Sequence, residues 1–600
     1  AARRWGVDPG TVRVVAGLFR GPSGPTTGYG DLAPAVSLDV PADPAARPKD
    51  AASAGLVGTS APRLDLPDKI AGRPRFVADL RLPGQLFGRV VRPPSPRARL
   101  LSVDGTVAGD DVRVVRDGSF LGVVGADETR VDLAAGALRR AATWAEEDDL
   151  PDERHLVVHL RGAPAELVPV VDDGEPPVAS GPTLTSRYSR PYLAHASIAP
   201  GCGVARWEAD GTVSVWSSSQ GVFRLRDAIA QALDLDAAAV VVEHVENAGC
   251  YGHNSADDAA FDAVLLARVV PGTPVQARWS RSDELTWAPF GSAMAVEVSA
   301  QLDDTGAIAA WTYDVWSQGH TARPGYRGVP GLLAGQHLER PLPAPPAADP
   351  PDAGGGGSTR NSVPIYEVGS RRIRGHRVED AAVRSSALRA LGAHLNVFSI
   401  ESFLDELAGV AGRDPLEYRL AHLTDDRART VLTTAADAAG WGEPAPDGIG
   451  RGIGVARYKG RGAYCAVVAE VEAEHDIRVR RLTVAVDVGR IVNPDGVRFQ
   501  IEGGAIQATS WTLKEQVRFD RRRITSEDWE SYPILRFSEV PEVEVHLVDR
   551  PDLASSGAGE AAQGPTAGAI ANAVAAAIGV RVRDLPLTTE AVTAVITRNP

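Results

Sequence analysis

The chain has 600 residues, is 44% hydrophobic and 23% charged, and carries a formal net charge of −14. Such a chain is globular, with room for about three to five domains of ~100–200 residues, and its acidic balance argues against nucleic acid or an anionic membrane as partner. No apolar run reaches the ~18 residues of a membrane span, and the three cysteines, Cys202, Cys250 and Cys465, offer neither a disulfide framework nor a cysteine-ligated zinc or iron–sulfur site.

Residues 20–55 are rich in Pro, Gly and Ala without periodicity, so 1–55 is predicted to be an irregular lead-in. Residues 56–165 have an α+β pattern. There, "LFGRVVRPP" reads as a strand, and "AAGALRRAATWAEE" as a helix turning Leu138, Ala142 and Trp144 inward. A larger region, 180–440, starts strand-rich. "GTVSVWSSSQ" alternates Val213, Val215 and Ser217 as a half-buried strand does. "GVFRLRDAIAQALDL" puts Val222, Leu225, Ile229 and Leu233 on one helical face. "AAAVVVEHVENAGCYGHN" reads as a buried strand entering a glycine turn, and 340–359 as a Pro/Gly loop without a packing pattern. "SIESFLDELAGVAG" reads as a helix burying Ile400, Phe403, Leu404 and Leu407. Asp414, Pro415 and Glu417 then form a capping-box start to the next helix. The last region, 441–600, is again α+β, with strands in "RLTVAVDVG" and "VEVHLVD". The expected fold class is α+β.

No G-x-G-x-x-G, P-loop, H-E-x-x-H or G-x-S-x-G motif is present, so the glycine-containing turns need another reason. Four join small residues to one distinctive polar side chain. They are "SSSQG" with Gln220, "NAGCYGHN" across 249–254, "RSSALRALGA" with Arg389, and "IVNPDGVRFQIEGGAIQ" with Gln500. Backbone amides in such turns suit a polyanionic, amide-bearing ligand. In "DLASSGAGEAAQGPTAGAIANAV", Glu560 sits among Gly, Ala and Ser ahead of a helix expected from Pro565. Alone it reads as a helix-start glutamate favoured by the macrodipole, although its small neighbours let other backbone or a ligand come close.

In this order the turns resemble the molybdopterin-binding large subunit of the xanthine dehydrogenase/aldehyde oxidase family, in the branch of isoquinoline oxidoreductases and nicotinate dehydrogenases. "YLAHASIAPGCGVARW", "RSSALRALGAHLNVFSIESFLDELAGVAGRDPLEYRLAHL" and "VDVGRIVNPDGVRFQIEGG" carry the resemblance, and 56–165 resembles the family's hammerhead domain. It implies two molybdopterin-binding parts, 180–440 and 441–600. It also implies hydroxylation of an electrophilic C–H of an N-heteroaromatic compound, with water as oxygen source. Glu560 matches the general base, Gln220 the glutamine beside the metal and Arg389 the active-site arginine. Gly249, Cys250, Tyr251 and Gly252 match the turn under the pterin, and Gln500 a pterin contact. No side chain ligates the metal. Oxidation of aldehydes by the same site, or a degenerate, non-catalytic scaffold subunit, are the alternatives.

Three departures bear on substrate. Cys250 stands where glycine is usual and reads as a small buried thiol. Ser255 and Leu391 stand where purine-oxidising relatives carry a second glutamate and an aromatic platform, so both are expected to line the substrate pocket with Tyr251 and to disfavour xanthine. Ser385, Ser386 and Ala387 stand where carbon monoxide dehydrogenases carry the cysteine of their copper site. The cofactor is expected as the cytosine dinucleotide form of molybdopterin. The implied partners are a small 2Fe–2S subunit, with an FAD subunit or a cytochrome beyond it. The segment bearing the family's Gly-Gln-Gly contact is expected ahead of residue 1 or on another chain, which makes 1–55 its remnant. The resemblance implies the cytoplasm, or the periplasm or a membrane through partners, with the cytoplasm favoured.

Overall fold

The computed structural model describes residues 1–47, 54–175, 180–379 and 383–598. Residues 48–53 of the expected lead-in lie outside them. Ala1–Gly55 and Leu56–Pro600 are separate compact units. The first is not irregular throughout: Arg13–Val15, Leu18–Arg20 and Thr26–Gly28 form a three-stranded antiparallel sheet. Its strands have three residues each, too short for a period to show.

In the second unit a seven-stranded sheet runs in the order Val240–His244, Val213–Ser217, Cys202–Trp207, Val275–Arg278, Leu86–Val90, Phe120–Gly125, Val112–Asp117. Leu86–Val90 pairs in parallel with Val275–Arg278, so the strands of 56–165 share one sheet with those of the next region. Alternate residues of Phe120–Gly125 face opposite sides. Phe120 and Val124 join the core that holds Phe261 and Val264, whereas Leu121 and Val123 join Val131 and Leu138. The whole strand is therefore buried. Two strand and helix expectations change. Val240–His244 is an edge strand with only Val240 buried. The helix read around Leu138 spans Glu128–Ala141, starting at an Asp127 cap, and Trp144 lies in the strand Thr143–Ala145. Trp144 keeps its partial burial because that strand pairs with Arg99–Ser102 beneath the same cluster.

A five-stranded sheet follows the order Thr183–Arg190, Met294–Leu302, Ile308–Gln318, Ser370–Val378, Ala165–Asp172. The helix Ala393–Val410 shares its core, with Ile400, Phe403, Leu404 and Leu407 all buried. Asp414 caps the next helix through the backbone of Leu416 and Glu417. Glu417 does not complete a box among the described residues, so the cap rests on Asp414 alone.

The third large sheet orders Ile449–Arg457, Tyr464–Glu472, Arg478–Asp487 and Glu542–Leu547. The helix Gln563–Ile578 lies directly on its edge strand. A Cβ at Gly450 or Gly452 would come within 2.1 Å of the Ala573 backbone, and one at Gly454 within 2.7 Å of the Pro565 carbonyl. Three glycines at a spacing of two put this bare face under the helix. The helix answers with Ala and Gly, and Gly564 and Gly568 abut Val397 and Glu401 of Ala393–Val410 on its other side. Packed between strand and helix, it aims the loop 557–562 at one point. It begins at Gln563, two residues before Pro565. No helix among the described residues is long and apolar enough to cross a membrane.

Candidate active site

A cavity of about 1080 Å³ lies where the loops ahead of four helices meet. Gln220, Gly249, Cys250, Tyr251, Gly252, Arg389, Leu391, Gln500 and Glu560 all line it, although they span 341 positions of the chain (560 − 220 + 1). The walls also hold Arg63, Arg323 and Arg360, so four arginines face two acids, Glu515 and Glu560. This is a locally cationic hollow in an acidic protein, suited to a polyanion.

Glu560 is held at both oxygens. The Ala390 amide donates to Oε1 at 2.9 Å, and the Tyr458 hydroxyl donates to Oε2 at 2.8 Å. Ala390 and Leu391 have φ of 71° and 51°. Non-glycine residues there are strained and cluster at functional sites, and this strain turns the Ala390 N–H toward the carboxylate. The buried Arg190, which donates to the Leu391 and Ser292 carbonyls, braces the turn.

Arg389 ties three segments together. It donates to the Gly559 carbonyl through Nε, to Gln507 at 3.3 Å through Nη1, and to the backbone and side chain of Gln500 at 3.0 and 3.3 Å through Nη2. With its amide turned to satisfy both ends, Gln563 accepts from Arg389 Nε at 2.7 Å and donates to the Glu560 carbonyl at 3.1 Å. Burial lowers the Arg389 guanidinium from its usual range, and the Glu560 charge opposes this. Gln500 is not in a turn: it sits in the helix Pro494–Leu513, which Asn493 caps. Asn-Pro at that boundary is the start signal its glycines obscured. Gln220, at the exposed end of its loop, accepts from Arg323 at 2.6 Å.

The turn 249–252 is closely fixed. Tyr251 has φ 61° and its carbonyl accepts from Arg389 N at 2.8 Å. Gly252 has φ 134°, and a Cβ there would lie 2.0 Å from the Ala387 carbonyl oxygen. Cys250 is half-buried and donates to the Gly252 carbonyl at 3.3 Å. Burial raises its thiol above the ordinary value.

Ser255 does not line the cavity. It is fully buried and its hydroxyl bonds the Glu284 carboxylate, which also accepts from Gly201 N at 3.0 Å. The turn through Gly252 sends the following helix, Ala256–Ala267, inward and carries Ser255 with it. Ser255 therefore says nothing about purines, and the expectation about xanthine keeps only Leu391. Tyr458, Arg360, His195 and Glu515 escape a reading of the sequence: each is an isolated polar residue in a core-like or loop-like context.

The cavity fits a pterin. On the cavity wall, His195 Nδ1 and Asn247 Oδ1 are buried without a hydrogen-bond partner. Such groups cost about 1–3 kcal/mol each unless something bonds them, and an amide-rich heterocycle would. Burial pushes His195 down to about 4, so the ring is neutral. Its Nε2 donates to the Ala387 carbonyl at 3.1 Å. Among the described residues no group of three His, Cys, Asp or Glu converges to hold a metal ion.

Glu515, also on the cavity wall, accepts from the Tyr532 hydroxyl at 2.8 Å. Burial raises its carboxyl from 4.5 to about 7. The folded chain therefore binds this proton more tightly than the unfolded chain does. The stability it contributes is complete below pH about 4.5 and is lost as pH rises through about 7; it amounts to about 3 kcal/mol. Glu515→Gln is expected to gain in Tm over the parent as the pH is raised from 5 to 8. A Tm difference that stays constant would assign the pH dependence to another group.

Two family models described as molybdopterin cofactor-binding domains match residues 171–340 and 434–541. The chain is 36% identical to a nicotinate dehydrogenase subunit of Pseudomonas putida over 99% of its length, and spans 51% of that protein. It is 28% identical to the isoquinoline 1-oxidoreductase beta subunit of Brevundimonas diminuta, over 89% of the chain and 68% of the relative. Quinoline 2-oxidoreductase from Pseudomonas putida 86 has the same fold, with a TM-score of 0.72 at 14% identity over 91% of this chain and 98% of that one.

Proposed function

We propose that this chain, which belongs to the molybdopterin-binding large subunits of the xanthine dehydrogenase family, hydroxylates an electrophilic ring carbon of an N-heteroaromatic compound. The observation that carries the reading is Glu560, a carboxylate fixed by two donors in the wall of a cationic cavity that also holds Gln220, Arg389 and the 249–252 turn. The names of the two relatives, one for nicotinate and one for isoquinoline, favour a heteroarene over an aldehyde.

When bound, the molybdenum cofactor supplies the two-electron oxidation and the site at which water provides oxygen. The rest falls to this chain. The 249–252 turn and the unpartnered polar atoms beside it hold the pterin. Gln220, Arg389 and Gln500 orient it. Each Glu560 oxygen accepts one fixed bond and keeps a second lone pair, and one of these takes the proton from the water-derived nucleophile. Leu391, Tyr251 and Ile198 supply apolar wall, which holds a flat ring and excludes bulk water. The family resemblance suggests the cytosine dinucleotide form of the cofactor. Electrons leave through a 2Fe–2S partner, since Cys202, Cys250 and Cys465 are far apart in sequence and two of them are buried.

The test is the natively purified complex. It is expected to contain molybdenum, and to turn over nicotinate or isoquinoline with an artificial acceptor while incorporating oxygen from labelled water. After the subunits are separated, iron is expected to stay with the partner. A complex that oxidises only benzaldehyde in such a panel would make the chain an aldehyde oxidase. One without molybdenum would make it a scaffold.

A further inference from the structure

Glu560 depends on a residue outside the glycine turns. We propose that Tyr458, backed by Arg360, is the positioning residue that fixes the Glu560 carboxylate for proton transfer; the inference rests on the reading of Glu560 given above.

The direction of the hydrogen bonds is forced. Arg360 Nη1 lies 2.7 Å from the Tyr458 oxygen, and a guanidinium can only donate. The phenol has one proton, so that proton goes to Glu560 Oε2, 2.8 Å away. The Ala390 amide likewise can only donate to Oε1. Both oxygens therefore receive a proton-bearing donor from outside the cavity, and the remaining lone pairs are left for what the cavity contains. Arg360 is nearly buried and makes no ion pair among the described residues. Its other donors go to the carbonyls of Gly355 at 3.1 Å, Gly354 at 3.3 Å and Gly356 at 2.6 Å. Its charge is thus held by neutral dipoles and acts on Glu560 through the phenol. Tyr458 is itself over nine-tenths buried, and burial with the Glu560 charge raises the phenol far above its ordinary range, so it stays a donor.

The placement has a backbone cause. Tyr458 opens the turn Tyr458–Gly460 at the end of the strand Ile449–Arg457. The helix behind Glu560 is seated on the glycines of that same strand. Strand end and helix start are therefore fixed against each other, and the hydroxyl meets the carboxylate without a long flexible arm between them.

Tyr458→Phe removes one oxygen and leaves the ring packed. In the molybdenum-loaded complex it is expected to lower kcat ~10–100-fold with KM changed less than about threefold, since a misplaced reacting group costs up to ~10²-fold. Arg360→Lys, which keeps a donor and the charge, is expected to fall between Tyr458→Phe and the parent. A second readout needs no turnover. In the full chain, the infrared difference between the parent and Glu560→Gln isolates the Glu560 carboxylate bands. The same difference taken in a Tyr458→Phe background is expected to move those bands to the position of a carboxylate with one donor fewer. Unmoved bands, or parental kcat in Tyr458→Phe while Glu560→Gln is inactive, would overturn the positioning role alone. An active Glu560→Gln would instead overturn the reading of Glu560 on which it rests.

Discussion

Glu560→Gln is expected to lower kcat ~10²–10⁴-fold, the usual worth of a positioned base, while the complex keeps its molybdenum. The amide has the volume of the carboxylate and still accepts through one oxygen. It can therefore keep either the Ala390 N–H or the Tyr458 hydroxyl as partner. Turned the other way, its NH₂ would face a second donor, so at least one of the two bonds is lost. That local loss costs about 1 kcal/mol in a chain whose helix Gln563–Ile578 is buried from Gln563 to Val574. The fold and the cofactor cavity consequently survive, and what disappears is the basic carboxylate, since a neutral amide cannot take the proton. The measurement is kcat per molybdenum atom for variant and parent. Near-parental turnover in a metal-replete variant would remove Glu560 from the reaction.

Gly252→Ala is expected to be as damaging by a different route, through loss of the cofactor. Its φ of 134° is a region that L residues rarely adopt, and the added methyl would stand 2.0 Å from the Ala387 carbonyl oxygen. That oxygen cannot give way. It accepts from His253 N at 2.8 Å and from His195 Nε2 at 3.1 Å, and Arg389 follows two residues later. The strain, at about 1–3 kcal/mol, adds to an overpacking cost of similar size. The turn and the Arg389 loop are expected to separate, with molybdenum content falling several-fold and Tm falling with it. Gly409→Ala is the control: it lies in the helix Ala393–Val410 with open space at the Cβ, and there alanine stabilises by ~0.5–1 kcal/mol. Full metal content in Gly252→Ala would show that the turn does not carry the pterin.

Glu560 and Gly252 are conspicuous in the sequence, but on their own they read as a helix-start glutamate and a turn glycine, and only the resemblance of the ordered turns to a known family gives them roles. Arg389 likewise gains its role from the resemblance, whereas the helices Val222–Leu233 and Ala393–Val410 have apolar periods long enough to read. Tyr458 is not visible. An aromatic at a strand end is more often core, and only the 102 positions separating it from Glu560 in the chain, closed by the fold, give it a role. Ser255 misleads for the converse reason. Its partner Glu284 lies 29 positions on, and nearness to a glycine turn in sequence is not nearness to the cavity. Val240–His244 reads as a buried strand because a run of valines suits either a central or an edge position. Sheet order, which decides between them, depends on pairings across long stretches of chain.

The parallel pairing of Leu86–Val90 with Val275–Arg278 also sets a timetable for synthesis. A strand whose neighbour lies 189 positions later (275 − 86) waits, on the ribosome, with one row of backbone donors and acceptors unmatched. At ~5–20 residues per second that interval is on the order of 10–40 seconds, and an open apolar edge invites pairing with another nascent chain. The cavity closes later still, when the loop at Glu560 has emerged. The cargo can therefore be loaded only after the loop carrying Glu560 has left the ribosome.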